Sequence, residues 1–550
     1  MNRLPPANIV HRLLDDHLER GHGDALCVRT EQERLSYAQL HRRACRAAHA
    51  FRDAGVTLET RVALILPDGP DHLACLLGLL RIGAVPVPLA TQLTAEDYAR
   101  VFADCRPRLA VVGAGQLTAV RAARGDGGEW PEQVWVAAAE QPGASGSAEE
   151  SGAAAGGAGE PGGVPYPEPL LSRLLDQAPD DHVPVRATSI DDMAVIQYTS
   201  GSTGTPRGVV HLHRGLQAVL DGLPARLGLT SGDLCFSAAK LSFGYGFGNS
   251  FLFPLSVGAG TLLLPEAADA ARVLRLAARC RPSVFFGVPA LYSAMLAVAE
   301  RGAEVDLSSV RCCVSAGEPL PASLADRWRE RFGVEIVNGL GSTECLHIFL
   351  ATEPGRTPRG SSGTLVPGYE AELRDEQGRV LGDGEIGQLW VRGQANAARY
   401  WNNHPATTAT MAGEWTRTGD QLSRDEGGVY HFVARSDDVL KVGGFKVAPT
   451  EIEDCLLRHP AVLECAVVGV PGRHATTEVI AHVRLRPDAP AGDGSEDAVR
   501  RELRAHVRTH LASYKQPREI RLVADLPRTT TGKIARHVLR AEAAAPRVTA

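Results

Sequence analysis

The first half of the chain alternates short apolar runs with amphipathic stretches, and this alternation restricts the fold more than any other feature. The stretches RVALILPDG, HLACLLGLLRIG and AVPVPLA follow closely on one another, and a second series after residue 190 contains MAVIQYT, GAGTLLLP, PSVFFGVP and SSVRCCVSAG. Strands that alternate with helices form βαβ units, whose parallel sheets are covered by helices on both faces. The pattern predicts an α/β protein whose large N-terminal domain contains two parallel-sheet subdomains.

The rest of the chain has a different pattern of apolar runs and turn residues. Past Gly360, short strand-like runs separated by Gly and Asp turns predict a β-rich third subdomain. From about Asp437 the order helix, strand, helix, strand predicts a small, mobile α+β C-terminal domain, with RSDDVLK as the hinge. We therefore divide the chain into domains 1–436 and 437–550. The Gly-, Ala-, Ser- and Glu-rich stretch over about 143–168 has no periodicity and predicts a disordered insertion.

Composition excludes some classes of function. The 550 residues carry a net charge of −6 without a basic run, and no apolar stretch is long enough to cross a bilayer. The beginning of the chain lacks the apolar region of a secretory signal. The 11 cysteines are scattered without a CxxC pair, which is typical of reduced thiols. We expect a cytoplasmic monomer or homodimer that acts on a small molecule, with neither nucleic acid nor membrane as a partner.

The stretch YTSGSTGTPRGVV is rich in glycine and hydroxyl groups and resembles a phosphate cradle. We place it between the strand MAVIQYT and a helix in RGLQAVLDGLPARL. Glycine lets backbone N–H groups approach an anion, and hydroxyl groups add further donors. It is not a Walker A loop, because no Gly-Lys-Ser/Thr closes it. The candidate phosphate-binding residues are Thr199, Ser200, Gly201, Ser202, Thr203, Gly204 and Arg207.

Three later stretches add two carboxylates and a lysine in polar, Gly-containing turns. They are NGLGSTE, which ends at Glu344, WTRTGD, which ends at Asp420, and PRTTTGK, which ends at Lys533. With the phosphate loop, and in this order, they resemble the adenylate-forming superfamily of acyl-CoA synthetases, adenylation domains and luciferases. The resemblance runs from about Leu35 to about Arg540. The segments KLSFGYGFGNSFLFPLSVGA, FFGVPALYSAML, SAGEPLP and GLGSTECLHIFL are most similar to benzoate-CoA ligases and related aryl-CoA ligases.

The resemblance implies a two-step reaction that consumes ATP. An aromatic carboxylate attacks the α-phosphorus, pyrophosphate leaves, and coenzyme A then takes the acyl group from the adenylate. Lys533 would stabilise carboxylate and phosphate during the first step, Glu344 would hold Mg²⁺, and Thr343 would lie beside the α-phosphate. After that step the small domain would turn about Asp437, and Lys441, Gly443 and Gly444 would form the thiol channel.

The remaining site residues also follow from the resemblance. Asp420, joined by Arg435, would bind the ribose. The adenine would lie along Gly317, Glu318 and Pro319 and along Asn338 and Gly339. The aromatic acid would occupy a narrow apolar slot, with His347 near its carboxylate. The residues of that slot are Phe243, Gly244, Tyr245, Gly287, Ala316, Gly341 and His347.

One position departs from the family pattern. The phosphate loop usually contains Pro-Lys-Gly, whereas this chain has arginine at position 207. Arginine keeps the charge and offers a planar fork for phosphate, but it is bulkier. Family members use this loop mainly for the β- and γ-phosphates. We therefore expect the change to affect ATP binding or pyrophosphate release more than the chemical step.

Other acceptors remain open at this point. The acceptor could be a carrier-protein thiol or an amine instead of coenzyme A, and one branch of the superfamily uses ATP to activate nitrite for the diazotisation of aryl amines. A non-catalytic nucleotide-binding protein is disfavoured, because Lys533, Glu344 and Asp420 are all present.

Overall fold

The protein is described by a computed structural model. It covers residues 7–124, 129–137, 168–200, 206–436, 438, 440–442, 445–471, 477–486, 496–529 and 534–544. The predicted insertion over about 143–168 lies outside these residues, apart from Glu168, and so does the predicted hinge residue Asp437. No described helix is long and apolar enough to span a membrane.

The first subdomain contains a four-stranded parallel sheet, as predicted. Its strands lie in the order Val85–Pro88, Arg61–Ile65, Leu109–Gly113 and Gln133–Ala137. The two central strands are buried almost throughout, as expected for a parallel sheet that is covered on both faces. The helices of this part are Tyr37–Asp53, Pro70–Arg81, Ala95–Cys105, Leu117–Ala122 and Leu171–Gln177.

The second subdomain contains a nine-stranded sheet with a parallel centre. Its order is Thr364–Leu365, Ile348–Ala351, Ile336–Gly341, Cys312–Ala316, Val284–Gly287, Leu234–Ser237, Gly260–Leu262, Leu26–Arg29 and Arg34–Ser36. The main helices beside it are Ala270–Cys280, Pro289–Glu300 and Ala322–Phe332. The prediction of two α/β subdomains is confirmed. The strand Leu26–Arg29 adds to it an N-terminal element that pairs in parallel with Gly260–Leu262.

The phosphate-loop region differs from the prediction in one respect. The predicted strand and helix are both present, at Met193–Ser200 and from His213 onward, but between them Pro206–Leu212 forms a second strand antiparallel to the first. The short strand Arg399–Tyr400 extends this pair to three strands, which we call the hairpin sheet. Burial of Val209 and Val210 explains the second strand, since β-branched side chains pack well on a pleated surface. Arg207 therefore lies on a strand.

The predicted β-rich subdomain is confirmed as a five-stranded antiparallel sheet. Its strands are Tyr369–Arg374, Gly387–Gly393, Met411–Ala412, Trp415–Arg424 and Tyr430–Arg435. The short helix His404–Thr410 lies beside it. This sheet supplies both Asp420 and Arg435 to the site, because the two residues are paired on adjacent strands.

The C-terminal part is an α+β unit, as predicted. It contains the helices Pro449–Leu457, Glu496–His510 and Arg536–Ala544, a sheet of Val462–Pro471, Thr477–Leu485 and Glu519–Leu522, and the pair Leu440–Val442 and Phe445–Val447. Several contacts between described residues join it to the preceding part of the chain, two of them hydrogen bonds between residues far apart in the sequence. The Thr450 hydroxyl donates to the Val433 carbonyl at 2.8 Å, and the Ile534 N–H donates to Glu318 at 2.9 Å. The division at residue 437 stays a prediction.

The turn at Gly363 provides a test of how closely the chain packs at the edge of the second sheet, beside Ala351. Its φ is +78°, and a Cβ at this position would lie 2.0 Å from the carbonyl oxygen of Ala351. We expect Gly363→Ala to lower the free energy of unfolding by about 2 kcal/mol or more, because the backbone must shift as well as adopt a strained φ. Denaturant unfolding of the whole protein measures the loss.

Gly378→Ala is the matched control. Gly378 has a similar φ of +83° but no atom within 4 Å of an added Cβ. A loss at position 363 no greater than the loss at position 378 would contradict the packing shown here.

Candidate active site

The site is built around one face of the hairpin sheet. Residues directly opposite each other on antiparallel strands point to the same side, so Thr199 and Arg207 share a face with Gln197 and His211. The opposite face belongs to Tyr198, whose hydroxyl donates to Asp104 at 2.5 Å. The hairpin therefore directs a hydroxyl, an arginine, an amide and an imidazole to one side.

The segment after the strand Ile336–Gly341 carries the candidate metal ligand. Ser342 caps a single helical turn, Thr343–Cys345, through its hydroxyl, which accepts from the N–H of Cys345. The Tyr400 hydroxyl donates to Glu344 Oε1 at 2.7 Å, and the N–H of Ala397 donates to the Glu344 carbonyl at 2.8 Å. One carboxylate oxygen is thus held by a phenol. Burial raises the pKa of Tyr400, so this phenol stays protonated and remains a donor.

Arg207 belongs to the same group of side chains. Its guanidinium carbon lies 5.7 Å from the centre of the Tyr400 ring, within range of a cation–π interaction. The charge of Arg207, the ring of Tyr400 and the carboxylate of Glu344 therefore form a continuous chain of contacts. This chain joins the phosphate-loop strand to the candidate metal ligand.

Asp420 and Arg435 form a fixed pair on the β-rich sheet. Asp420 is 2% exposed, and Arg435 Nη1 lies 2.7 Å from its Oδ1. Gly419 has a φ of +80°, and a Cβ there would lie 3.1 Å from Arg435 Nη2. The positive φ and this close approach to the guanidinium both favour glycine at this turn. The pair can offer carboxylate oxygens to hydroxyl groups and a cation to phosphate.

The two segments predicted to bind adenine lie side by side on adjacent strands of the second sheet. Ser315 is paired with Asn338, and Ala316 with Gly339, so the start of the SAGEP stretch and the NGLG turn lie side by side. Asn338 is held by its amide, which donates to the carbonyl of Ser361 at 2.9 Å. In the next turn, Gly317 has a φ of +93°, a value that favours glycine.

Glu318, the residue after that glycine, accepts the N–H of Ile534 at 2.9 Å. Ile534 directly follows Lys533 in the sequence. Ile534 is therefore attached beside the predicted adenine-binding segments, while Lys533 itself lies outside the described residues.

A cluster of aromatic rings around Tyr245 lies beside the turn Thr343–Cys345. Tyr245 packs edge-on against Phe286 and donates to the Val314 carbonyl at 3.1 Å. His347 is buried, with Nε2 at 3.3 Å from the Tyr245 carbonyl and its ring 4.6 Å from that of Phe253. Burial lowers the pKa of His347 to about 3, so its imidazole is neutral. With Nε2 directed at a carbonyl acceptor, the proton belongs on Nε2.

The glycines of the predicted slot differ in what they do. At Gly287 a Cβ would lie 2.9 Å from the Tyr292 ring, and at Gly341 it would lie 2.5 Å from the His347 carbonyl oxygen. Close packing within the protein therefore requires glycine at both positions. Phe243 comes directly before the short helix Gly244–Phe247 and places Gly244 beside Thr343, whose hydroxyl would lie 3.9 Å from an added Cβ.

Several predicted residues fall where the structure gives no side-chain description. Ser200 and Lys441 are described as strand backbone only. The predicted residues outside the described ranges are Gly201, Ser202, Thr203, Gly204, Asp437, Gly443, Gly444 and Lys533. Their roles stay predictions.

Three residues of the site were missed by the sequence reasoning. Tyr400, Gln197 and His211 belong to the hairpin sheet, and all three are buried. The signal for Gln197 and His211 was available, because alternation along MAVIQYT and RGVVHL puts them on the face of Thr199. Tyr400 has no such signal, since its strand is far away in the sequence.

The sequence matches two family models. AMP-binding enzyme matches over residues 14–401, and AMP-binding enzyme C-terminal domain matches over residues 451–533. The chain belongs to the AMP-binding enzymes.

Two relatives that match this enzyme over nearly the whole chain are named as CoA ligases of benzoate or 4-hydroxybenzoate. It is 39% identical to benzoate–CoA ligase of Thauera aromatica, over 98% of each chain. It is 37% identical to 4-hydroxybenzoate–CoA/benzoate–CoA ligase of Rhodopseudomonas palustris, over 96% of this chain and 92% of the relative. Among solved structures, the anthranilate CoA ligase AuaEII in complex with anthranoyl-AMP superposes with a TM-score of 0.88, at 34% identity over 98% of both chains.

Burial of His211 generates a prediction about pH. Its pKa is lowered to about 4 by burial, against an ordinary value of 6.5. As the pH falls from 6.5 towards 4, His211 therefore binds a proton in the unfolded chain but not in the folded enzyme, and the free energy of unfolding decreases. We expect His211→Leu to reduce the loss of unfolding free energy between pH 7 and pH 5 by about 2 kcal/mol.

Denaturant unfolding of both proteins at a series of pH values measures this difference. At pH 8 the linkage contribution is absent, so any offset there reports packing alone. Parallel pH dependences for the two proteins would show that His211 titrates normally in the folded enzyme.

Proposed function

We propose that the enzyme activates an aromatic carboxylic acid with ATP as an acyl-adenylate and transfers the acyl group to coenzyme A. The observation that carries this proposal is the clustering of three groups around the turn Thr343–Cys345. Glu344 in this turn bonds to Tyr400, the strand that carries Asp420 packs against the turn, and Gly244, next to Tyr245, lies beside it. Relatives over almost the whole chain are named as benzoate and hydroxybenzoate CoA ligases.

The phosphate end of the site suits the first step. Attack of the acid on the α-phosphorus concentrates negative charge there, which cations and N–H donors stabilise. Thr343 supplies a hydroxyl beside the α-phosphate, and Lys533, one residue before the Ile534–Glu318 hydrogen bond, supplies the cation. Asp420 accepts hydrogen bonds from the ribose, and the guanidinium of Arg435 holds its carboxylate in place.

The oxygen donors near Glu344 fit Mg²⁺, which prefers carboxylate and phosphate oxygens. The hydrogen bond from Tyr400 to Oε1 orients the carboxylate of Glu344, which would hold the ion. When bound, Mg²⁺ would neutralise phosphate charge. Tyr400 acts on this arrangement by orienting Glu344.

The pocket around Tyr245 takes the ring of the acid. The neutral, buried His347 and the half-buried Tyr245 present no net charge, so the aromatic ring meets a largely apolar wall while the carboxylate faces the phosphate end. Gly244 lies between the two ends, next to Thr343. The thiol of coenzyme A would enter by the side that carries Lys441, Gly443 and Gly444.

Two assays separate the steps and test the proposal. We expect aromatic acids to support ATP–pyrophosphate exchange, and Lys533→Ala to lower the exchange rate about 100-fold or more because the adenylation step loses its cation. Thioester formation from a preformed aryl-adenylate and coenzyme A should fall far less. Lys515→Ala is the matched control, since Lys515 pairs with Glu451 at 2.5 Å elsewhere in the same part of the chain.

The acceptor is tested in the same experiment. Exchange without any thioester would point to a carrier-protein thiol or an amine as the acceptor. ATP consumption that needs nitrite and an aryl amine, with no exchange on any carboxylic acid, would overturn the proposal.

Arg207 generates a second kinetic prediction. Its charge lies on the phosphate-loop strand, beside the ring of Tyr400. We expect Arg207→Ala to raise the KM for ATP about tenfold while kcat changes less than threefold, because the lost contact holds the β- and γ-phosphates equally in the ground and transition states. Steady-state exchange kinetics measure both constants. Arg207→Lys should recover most of the ATP affinity, whereas an equal fall in kcat and kcat/KM for the alanine variant would assign Arg207 to the chemical step.

A further inference from the structure

Four side chains of the kinds that bind transition metals meet beside the helix Tyr37–Asp53, and none of them belongs to the candidate active site. His41 and Cys45 lie on this helix, and His182 comes from a later part of the chain. One possible ligand atom from each of these three residues lies within 4.8 Å of the other two. The fourth side chain is Asp15, whose Oδ1 lies 3.6 Å from His41 Nε2. We call these four residues the four-ligand cluster.

The spacing within the cluster is that of a tetrahedral metal site. His41 Nε2 lies 3.3 Å from Nδ1 of His182 and 3.8 Å from Sγ of Cys45. With the 3.6 Å to Asp15, three potential ligand atoms surround this nitrogen. Ligand atoms at about 2.0–2.3 Å from a tetrahedral zinc ion lie roughly 3.3–3.6 Å from one another. The observed distances therefore match, within a few tenths of an ångström, the edges of a tetrahedron around one ion.

The helix and the segment 178–192 bring the cluster together. His41 and Cys45 are four residues apart on the helix, so their side chains share one face. The segment 178–192, which we call the connecting segment, contains His182 and has neither helix nor strand. Next to His182, Asp181 lies with its Oδ1 3.1 Å from Nε2 of His49, one further turn along the same helix. The connecting segment therefore runs along the face that carries the two helical ligands.

The chemistry of the cluster selects the metal. One thiol, two imidazoles and one carboxylate are all ligands of Zn²⁺, and tetrahedral sets that include cysteine are typical of structural zinc sites. Burial lowers the pKa of His41 to about 4, so its ring is neutral near pH 7 and keeps the lone pair that a metal needs. Burial also raises the pKa of the Cys45 thiol. Zinc binding therefore displaces the thiol proton, which passes to the solvent.

Arg81 holds the carboxylate of the cluster in place. It is fully buried, and its Nη1 donates to the Val183 carbonyl at 2.8 Å and to Asp15 Oδ2 at 3.2 Å. Its Nη2 donates to Asp15 Oδ1. The charge of Arg81 is thus compensated by Asp15, and the thiolate of Cys45 remains to balance the ion. Outer hydrogen bonds of this kind orient ligating carboxylates. Because Val183 follows His182, Arg81 also positions the connecting segment.

We propose that the four-ligand cluster binds one structural Zn²⁺ ion. The ion fastens the connecting segment to the helix Tyr37–Asp53, at the point where the chain leaves the first subdomain for the hairpin sheet. A segment without helix or strand has few backbone hydrogen bonds of its own, so a metal site supplies the anchor that it lacks. His182 is exposed and provides the path by which the ion enters. This assignment is independent of the proposed function.

Calorimetric titration of the full-length, chelator-treated enzyme with zinc chloride tests the site. We expect His182→Gln to weaken zinc binding at least about tenfold, because one of four ligands is lost. His182 is exposed, so this variant should fold like the wild type. His49→Gln is the matched control, since His49 also contacts the connecting segment but is outside the cluster. It should leave the zinc affinity unchanged. Equal affinity of the wild type and His182→Gln would overturn the proposal.

Cobalt spectroscopy identifies the ligands. Co²⁺ in place of Zn²⁺ should give the strong visible bands of tetrahedral coordination, together with a thiolate-to-cobalt charge-transfer band in the near ultraviolet. Cys45→Ser should abolish the charge-transfer band. Because Cys45 is completely buried, this variant can fail to fold. His182→Gln then provides the readout, since both sets of bands should weaken at equal cobalt concentration. A six-coordinate spectrum without a charge-transfer band in the wild type would overturn the proposal.

A second group of possible ligands serves as an internal control. Cys455, His506 and His510 also have ligand atoms within 4.8 Å of one another. However, His506 Nε2 lies 3.0 Å from the Cys455 carbonyl, and His510 Nδ1 lies 2.8 Å from the His506 carbonyl. These ring nitrogens are therefore already engaged. We expect His506→Ala to leave the charge-transfer band unchanged. Its loss in His506→Ala but not in His182→Gln would assign the ion to this second group and overturn the proposal.

Hydrogen exchange measures the fastening itself. Zinc should slow the exchange of backbone amides in the connecting segment of the wild type, because binding favours the closed form of this segment. In His182→Gln the same zinc concentration should have little effect. Exchange in the connecting segment that is equally fast with and without zinc in the wild type would overturn the structural role of the ion.

Discussion

The hydrogen bond from Tyr400 to Glu344 is the contact on which the geometry of the site depends. It joins the hairpin sheet to the turn that follows the strand Ile336–Gly341, two parts of the structure that share no sheet. The Ala397 N–H reinforces it by holding the Glu344 backbone. Since Arg207 packs on the same ring, one phenol sets the distance between the phosphate-loop strand and the candidate metal ligand. A buried phenol with a raised pKa is suited to this task, because it donates reliably and carries no charge of its own.

Much of the architecture could be predicted because the periodicity of apolar residues within each short segment indicates its secondary structure. The runs around Val62 and Val314 are short, apolar and followed by helical patterns, and both proved to be parallel strands. The Gly and Asp turns past Gly360 likewise indicated the antiparallel sheet. The strand Pro206–Leu212 was missed because the stretch begins with Pro-Arg-Gly, which favours a turn, whereas pairing with Met193–Ser200 and Arg399–Tyr400 decides its conformation.

The candidate site could be predicted in part from the sequence. The rest was missed because it depends on contacts between residues far apart in the chain. Residue types in ordered motifs predicted Glu344 and Asp420 as site residues, because the proposed chemistry requires carboxylates there, and these roles stay predictions. What the motifs lack is the long-range contact. Nothing near Gln197 in the sequence indicates that its amide lies beside Gly244, and a leucine with a positive φ at position 346 contradicts local preference altogether. Such conflicts between local preference and structure are expected where function, not stability, sets the conformation.

The strand Leu26–Arg29 has a consequence for biosynthesis. It forms part of the second sheet through parallel pairing with Gly260–Leu262, so Val28 lies opposite a residue, Thr261, that leaves the ribosome more than two hundred residues later. Until then the nascent chain has an apolar segment without its neighbour, next to the helix Tyr37–Asp53, which can already pack on Pro70–Arg81. Non-local pairing of this kind slows folding and exposes strand edges. The N-terminal α/β subdomain can therefore form during synthesis, whereas the sheet that carries the nucleotide segments closes only after most of its strands have been made.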